Sequence, residues 1–271
     1  MSRIKNTRQK RAVFSDFEPR PADEPIVPEV EGVDFAPYQT WAQQSLGFEF
    51  NNPSLIVTAL THRSYVNEHR KLARAHNERL EFLGDAVLEL VTTEYLFKHF
   101  DLPEGVLTSW RAALVRTESI RDAGEELGYA KLVRMSKGEQ NGTEHSKLHI
   151  IANCFEATIG AVYLDQGFAA AKKIIDKHII KNIDKIIEDG SWRDAKSYLQ
   201  EISQRYCGMT PKYRVLAESG PDHDKKFTIG VFVDEIEWGC GEGGSKQLAQ
   251  QQAAHRAIAY YKAKLQKSSE K

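Results

Sequence analysis

The run HNERLEFLGDAVLEL, residues 76–90, carries a glycine in the middle of a helical pattern. Leu80, Leu83, Val87, Leu90 and Val91 recur at helix spacing, which predicts an amphipathic helix with that stripe turned inward. A glycine inside a helix costs about 1 kcal/mol relative to alanine. A second backbone passing too close for any side chain would explain Gly84. The same helix sets Glu81 and Asp85 four residues apart and Glu78 three before Glu81, so three acids share one face. Like charges at this spacing repel by ~0.2–0.5 kcal/mol per pair. On an arbitrary helix such a face reads first as solvated surface, and the packed glycine beside it argues for more. Phe82 lies off the apolar stripe, nearer the acids. It either fills a local gap in the core or protrudes into a partner subunit.

The segment IIANCFEATIGAVYLDQG, residues 150–167, is the natural neighbour. Ile151, Phe155, Ile159 and Val162 form its apolar stripe, and Asn153, Glu156 and Gly160 share a different one. Packing the two helices glycine against glycine makes Glu81, Asp85, Asn153 and Glu156 converge. Carboxylates gathered without a cation raise one another's pKa, and a divalent cation resolves the conflict. All four side chains offer hard oxygen, which selects Mg²⁺, with Mn²⁺ able to substitute, over zinc. His62 and His76 have no His or Cys cluster near them and read as structural hydrogen-bonding residues.

A chain of 271 residues is long enough for two domains. Its three cysteines, Cys154, Cys207 and Cys240, form no CxxC pair, which predicts a reducing compartment without disulfides or a zinc site. The expectation is a cytoplasmic protein with no membrane segment and no small-molecule cofactor. The net charge of -1 decides nothing about a nucleic-acid partner, so local clusters must. Residues 1–37, a basic start followed by a proline-rich acidic stretch, are expected to lack order. Residues 38–189 read as an all-α domain of six to eight helices, 190–193 as a linker, 194–265 as an α+β domain, and 266–271 as a tail. Within the second domain, Asp194–Tyr206 reads as a helix. Lys212–Glu218, Phe227–Val233 and Glu235–Gly241 read as strands. After the glycine cluster at 241–244, Ser245 caps a helix to Leu265.

HNERLEFLGDAVLEL resembles the signature helix of the ribonuclease III family, a long and specific motif. IANCFEATIGAVYLDQG resembles the family's second catalytic helix, and LTHRSYVNE (60–68) and PEGVLTSWRAALV (103–115) its intervening segments. The C-terminal portion resembles a double-stranded RNA-binding domain, so the likeness covers about residues 38–265. It implies an all-α endonuclease domain joined to an α-β-β-β-α domain. It also implies a homodimer that hydrolyses double-stranded RNA with Mg²⁺, leaving 5′-phosphate and 3′-hydroxyl ends with two-nucleotide 3′ overhangs. Ribosomal precursor and messenger RNA processing are the tasks the family suggests.

The resemblance assigns Glu81, Asp85 and Glu156 to three of four central acidic positions, with Asp85 and Glu156 most directly catalytic. The fourth position, commonly Asp, is Asn153 here, a neutral ligand. Glu78 and Glu104 match supporting acids near the cleft, and Phe82 the aromatic that enters the partner subunit. Gln200 and Glu201 match residues that meet the minor groove, and His223 a loop residue that reaches a second one. Lys246 sits at a helix start, where the dipole and free N–H groups also favour phosphate, and Lys225 and Lys226 compensate for the basic residue missing after it. Gln247 stands where relatives often carry a second basic residue. The alternative is a catalytically weak or inactive double-stranded RNA-binding protein of the same fold. A di-iron or metal-storage bundle lacks its Glu-x-x-His ligands.

Overall fold

The computed structural model describes residues 25–70, 73–190, 192–221 and 225–269; residues 1–24, most of the segment expected to lack order, lie outside these. The described residues form two compact units. One comprises the chain up to Leu88 with Ile120–Ile174, the other Glu89–Ser119 with everything from Ile175 onward.

The first unit is helical. It contains α1 (Ala36–Ser45), α2 (Pro53–Ala59), α3 (Arg63–Glu68), the first half of α4 (Glu78–His99), most of α6 (Thr117–Glu126), α7 (Lys137–Gln140), α8 (Glu144–Gln166) and the start of α9 (Phe168–His178). Local chemistry starts these helices. Asn52 accepts from the Ser54 amide with Pro53 in the first turn of α2, and Thr143 accepts from the Ser146 amide at the start of α8. With α5 (Glu104–Leu114) and α10 (Ile183–Asp189), ten α-helices are described before Gly190, against the expected six to eight. The surplus is in short helices. α3 has six residues and α7 four, too few for a helical period to show in sequence.

α4 and α8 cross at their glycines. A Cβ on Gly84 would run into the Glu156 carbonyl and stand 2.9 Å from the Gly160 nitrogen. One on Gly160 would strike the Leu80 carbonyl and stand 3.1 Å from the Gly84 nitrogen. The expected stripe needs one correction: Leu90 is 59% exposed, and Leu88 is fully buried in its place. Leu88 sits one turn beyond Gly84, along the line that faces α8. Leu90 points roughly 200° away from Leu88 around the helix.

In the second unit, Trp192 lies in the expected linker and packs edge-on against Trp110 of α5, with ring centres 6.0 Å apart. Trp110 in turn meets Phe100 at 4.9 Å. Then follow α11 (Ala195–Cys207), β1 (Lys212–Ser219), β2 (Lys226–Val233), β3 (Ile236–Gly243) and α12 (Lys246–Ser269). The antiparallel sheet has the order β1-β2-β3. Asp194 and Ser245 cap α11 and α12, accepting from the Ser197 amide at 2.9 Å and the Leu248 amide at 3.2 Å. Leu199, Val231, Trp238, Ala253 and Ala257 form this domain's core.

Two expectations change here. Glu235 belongs to the β2–β3 turn rather than to β3: Asp234 and Glu235 both adopt positive φ, 52° and 61°, as a tight hairpin requires. β3 also runs two residues beyond its expected end at Gly241, so Gly241 and Gly243 are both strand positions. With Gly239 they occupy one face of β3, where a Cβ would meet the backbone of α12. Residues 25–35 also depart from the expectation of no order. Val27 is buried, and the Val30 amide donates to Ser54 Oγ at 3.1 Å. Apolar burial at Val27 and the bond from Val30 help tie down a stretch whose average composition argues against packing.

Gly84→Ala should lower stability by about 2 kcal/mol or more, because backbone atoms cannot yield to the new methyl. Gly105→Ala, where nothing lies within 4 Å of the added Cβ, should be neutral or slightly stabilising. Urea denaturation midpoints of the two variants check this.

Candidate active site

The α4–α8 crossing brings Glu81, Asp85, Asn153 and Glu156 together. Asn153 hydrogen-bonds to Glu81, and Glu156 feels the charges of both Asp85 and Glu81. Burial pushes the Glu156 carboxyl up to about 7, with Asp85 and Glu81 adding to the rise. Burial likewise raises Glu81, then Glu78 and Asp85 do, while the Asn153 hydrogen bond opposes them. Glu81 Oε2 is buried and has no hydrogen-bond partner. Among the described residues no three carboxylate, imidazole or thiolate groups form a ready metal cluster. The acids couple through their charges without closing on a common point.

This donor set fits a hard divalent cation: three carboxylates and an amide, all oxygen, one of those oxygens buried and unpartnered. Glu78 stands at the rim, paired with Arg63 at 3.2 Å, and contributes to raising Glu81. Glu104 opens α5 in the second unit, exposed, and accepts a hydrogen bond from Thr108 Oγ1 at 3.1 Å.

Asn77 was missed by the sequence reading. It is buried, its carbonyl accepts from the Glu81 amide at 2.8 Å, its amide donates to the Thr61 carbonyl at 2.9 Å, and its Nδ2 donates to Cys154 Sγ at 3.7 Å. It thereby fixes the first turn of α4 against α8. An Asn one residue before a helix was the available signal. The Cys154 thiol, pushed up to about 12 by burial, is a packing group. His62 makes the expected structural bond, with Nδ1 2.8 Å from Ser64 Oγ. His76 differs, since its buried Nδ1 has no hydrogen-bond partner and stands 3.8 Å from Glu78 Oε2, at ion-pair range.

Phe82 is 81% exposed, so it fills no core gap. Beside it lies a cavity of about 570 Å³, lined among others by Ile26, Val27, Leu80, Leu83 and Leu164.

In the C-terminal domain Gln200 and Glu201 are exposed on α11. Lys196, from the same helix, is turned inward, donating to Gln250 Oε1 at 2.7 Å. Lys225 and Lys246 both pair with Glu218, at 3.3 and 3.1 Å. His223 lies outside the described residues.

The family model described as Ribonuclease-III-like matches residues 52–183, and the double-stranded RNA binding motif matches residues 195–261. Ribonuclease 3 of Enterococcus faecalis is 42% identical over 223 residues, 81% of this chain and 95% of that protein. Ribonuclease 3 of Bdellovibrio bacteriovorus is 42% identical over 80% of this chain and 93% of its own length. The solved nuclease domain of ribonuclease III from Campylobacter jejuni aligns with 52% of this chain and 96% of that one, at 42% identity and a TM-score of 0.48.

The chain belongs to the ribonuclease III family.

It is an endoribonuclease of double-stranded RNA, with a helical nuclease domain followed by an α-β-β-β-α RNA-binding domain. No helix among the described residues of this ribonuclease III is long and apolar enough to cross a membrane. The motifs that announced the family, residues 76–90 and 150–167, are the two helices that meet at Gly84 and Gly160.

Glu156 titrates near 7 when folded and near its ordinary value, 4.5, when unfolded. The folded state therefore binds the extra proton between those values. This contribution to stability is fully present below about pH 4.5 and is lost as pH rises through about 7. Glu156→Gln mimics the protonated form. In EDTA its melting temperature should gain on that of the wild type between pH 5 and pH 8, as followed by differential scanning calorimetry. A gap that does not change with pH contradicts the assignment.

Proposed function

We propose that Glu81, Asp85, Asn153 and Glu156 hold Mg²⁺, with Mn²⁺ able to substitute, and that this site cuts duplex RNA into products with 5′-phosphate and 3′-hydroxyl ends and two-nucleotide 3′ overhangs. The observation that carries this reading is the buried, unpartnered Glu81 Oε2 beside two further carboxylates. Such an arrangement disfavours its own ionisation and gains most from a divalent cation. Bound there, Mg²⁺ supplies activation of the attacking water and neutralisation of charge on phosphate oxygens.

The chain's own groups prepare the site. The glycine crossing holds the acids at fixed separation. Asn153 orients Glu81 through their hydrogen bond. Asn77 anchors the turn that carries Glu81. Asp85 and Glu156 act closest to the scissile phosphate, and Glu78 and Glu104 support the approach. The neutral Asn153 leaves three formal negative charges for the cation where relatives with Asp have four.

The proposal extends to assembly and substrate. Phe82 is an exposed knob beside an apolar cavity, which supports a two-fold pairing in which the knob of each copy enters the cavity of the other. We read the protein as a cytoplasmic homodimer that processes ribosomal precursor and messenger RNA. Its nuclease domain is taken as residues 38–189, linked through 190–193 to a binding domain at 194–265. In that domain Gln200, Glu201, His223, Lys225 and Lys246 contact the duplex.

Incubating a labelled long duplex with Mg²⁺ should give short staggered products with the wild type and none with Glu156→Gln, while both bind RNA in EDTA. Cutting by Glu156→Gln at the wild-type rate removes Glu156 from the site. Asn153→Asp should retain cleavage and lower the Mg²⁺ concentration for half-maximal rate. An unchanged Mg²⁺ dependence removes Asn153 from the ligands. Phe82→Ala should shift the protein toward monomer in sedimentation at low micromolar concentration.

A further inference from the structure

Lys225 and Lys246 share one carboxylate. Glu218 Oε2 stands 3.3 Å from Lys225 Nζ, and Glu218 Oε1 stands 3.1 Å from Lys246 Nζ. Glu218 lies near the end of β1, where its register partner on β2 is Phe227. Both ammonium groups lie over the Phe227 ring, 5.9 and 5.3 Å from its centre. The two lysines hold the Glu218 carboxyl below the usual carboxylate range through their hydrogen bonds.

We propose that Glu218 competes with RNA phosphate for Lys225 and Lys246, and so sets how tightly and how salt-sensitively the binding domain holds a duplex. The inference rests on reading these lysines as phosphate ligands. A phosphate that approaches the two ammonium groups also approaches the carboxylate between them. Either the two anions repel, or Glu218 swings away and gives up both ion pairs. Phosphate binding is opposed in both cases. The alternative sign, in which Glu218 positions the lysines, is disfavoured by Phe227. Its ring attracts both cations and keeps them placed when the carboxylate is gone.

The test measures binding of the full chain, in EDTA so that no cleavage occurs, to a fully paired RNA longer than the ~16 base pairs such a domain spans. Glu218→Gln keeps the size of the side chain and should melt like the wild type. Exposed ion pairs are individually weak, so it should tighten binding by about three- to tenfold near physiological salt. It should also steepen the slope of log affinity against log salt by up to about one. Lys225→Ala with Lys246→Ala should weaken binding, and Glu218→Gln added to that pair should have no further effect. Weakening by the lysine pair with unchanged or poorer binding by Glu218→Gln overturns the competition and makes Glu218 a positioning residue. A lysine pair that binds like the wild type overturns the phosphate reading itself, and the inference with it.

Discussion

The contact between Gly84 and Gly160 sets the geometry on which everything at the site depends. With no Cβ on either side, each backbone enters the space a side chain would fill, and the helices close to a separation no other residue pair permits. That closeness makes acids on two different helices into neighbours. The rest of the unit secures it. α2 is buried along its length and packs against α8, and Asp165 near the C-terminal end of α8 accepts from the amides of Asn51 and Asn52, each at 2.8 Å. Tight packing in this way sustains an arrangement of like charges that would otherwise relax apart. Burial and repulsion raise Glu81 and Glu156 together, the pattern expected where binding or catalysis uses what stability alone would discard.

Much of this was legible because the decisive signals are local. Gly84 within an apolar helical stripe implies a close neighbour, and a second glycine, four residues beyond Glu156 and seven beyond Asn153, names the partner. Period-two alternation from Lys212 and from Phe227 placed two strands to within a residue at each end. The failures have a common origin in the partner's shape, which sequence does not carry. Which of Leu88 and Leu90 is buried depends on where α8 lies, not on spacing along α4. β3 was expected to end at Gly241 because glycines mark turns, yet Gly241 and Gly243 admit the helix α12 against β3. The break between β2 and β3 was expected at Asp234 alone, and the turn takes in Glu235 because both adopt positive φ without the Asn-Gly pair that usually announces it. Trp192, alone in a stretch read as linker, gains its meaning only from Trp110 some eighty residues earlier.

At the site the same division holds. The acids and Asn153 could be nominated from helix spacing, and Phe82 from its place off the stripe. Asn77 could be flagged only as a residue before a helix, since its bonds to Thr61 and Cys154 reach parts of the chain that no local pattern shows. Glu218 could not be nominated, an ordinary acid near a strand end until the hairpin brings Lys225 back toward it and the fold delivers Lys246.

The charges also explain how a chain of net charge -1 can serve a polyanion. Without a cation the acidic cluster repels phosphate, and the domain that holds duplex spends part of its positive charge internally on Glu218. Neither feature favours indiscriminate capture of nucleic acid, which follows from counterion release at strongly basic surfaces. Contacts to groove shape and 2′-hydroxyls, through Gln200 and Glu201 in the proposed interface, then carry a larger share of recognition than bulk electrostatics does. In the proposed site a divalent cation would offset two of the three formal negative charges of Glu81, Asp85 and Glu156, so the repulsion of phosphate would ease where its ester is to be broken.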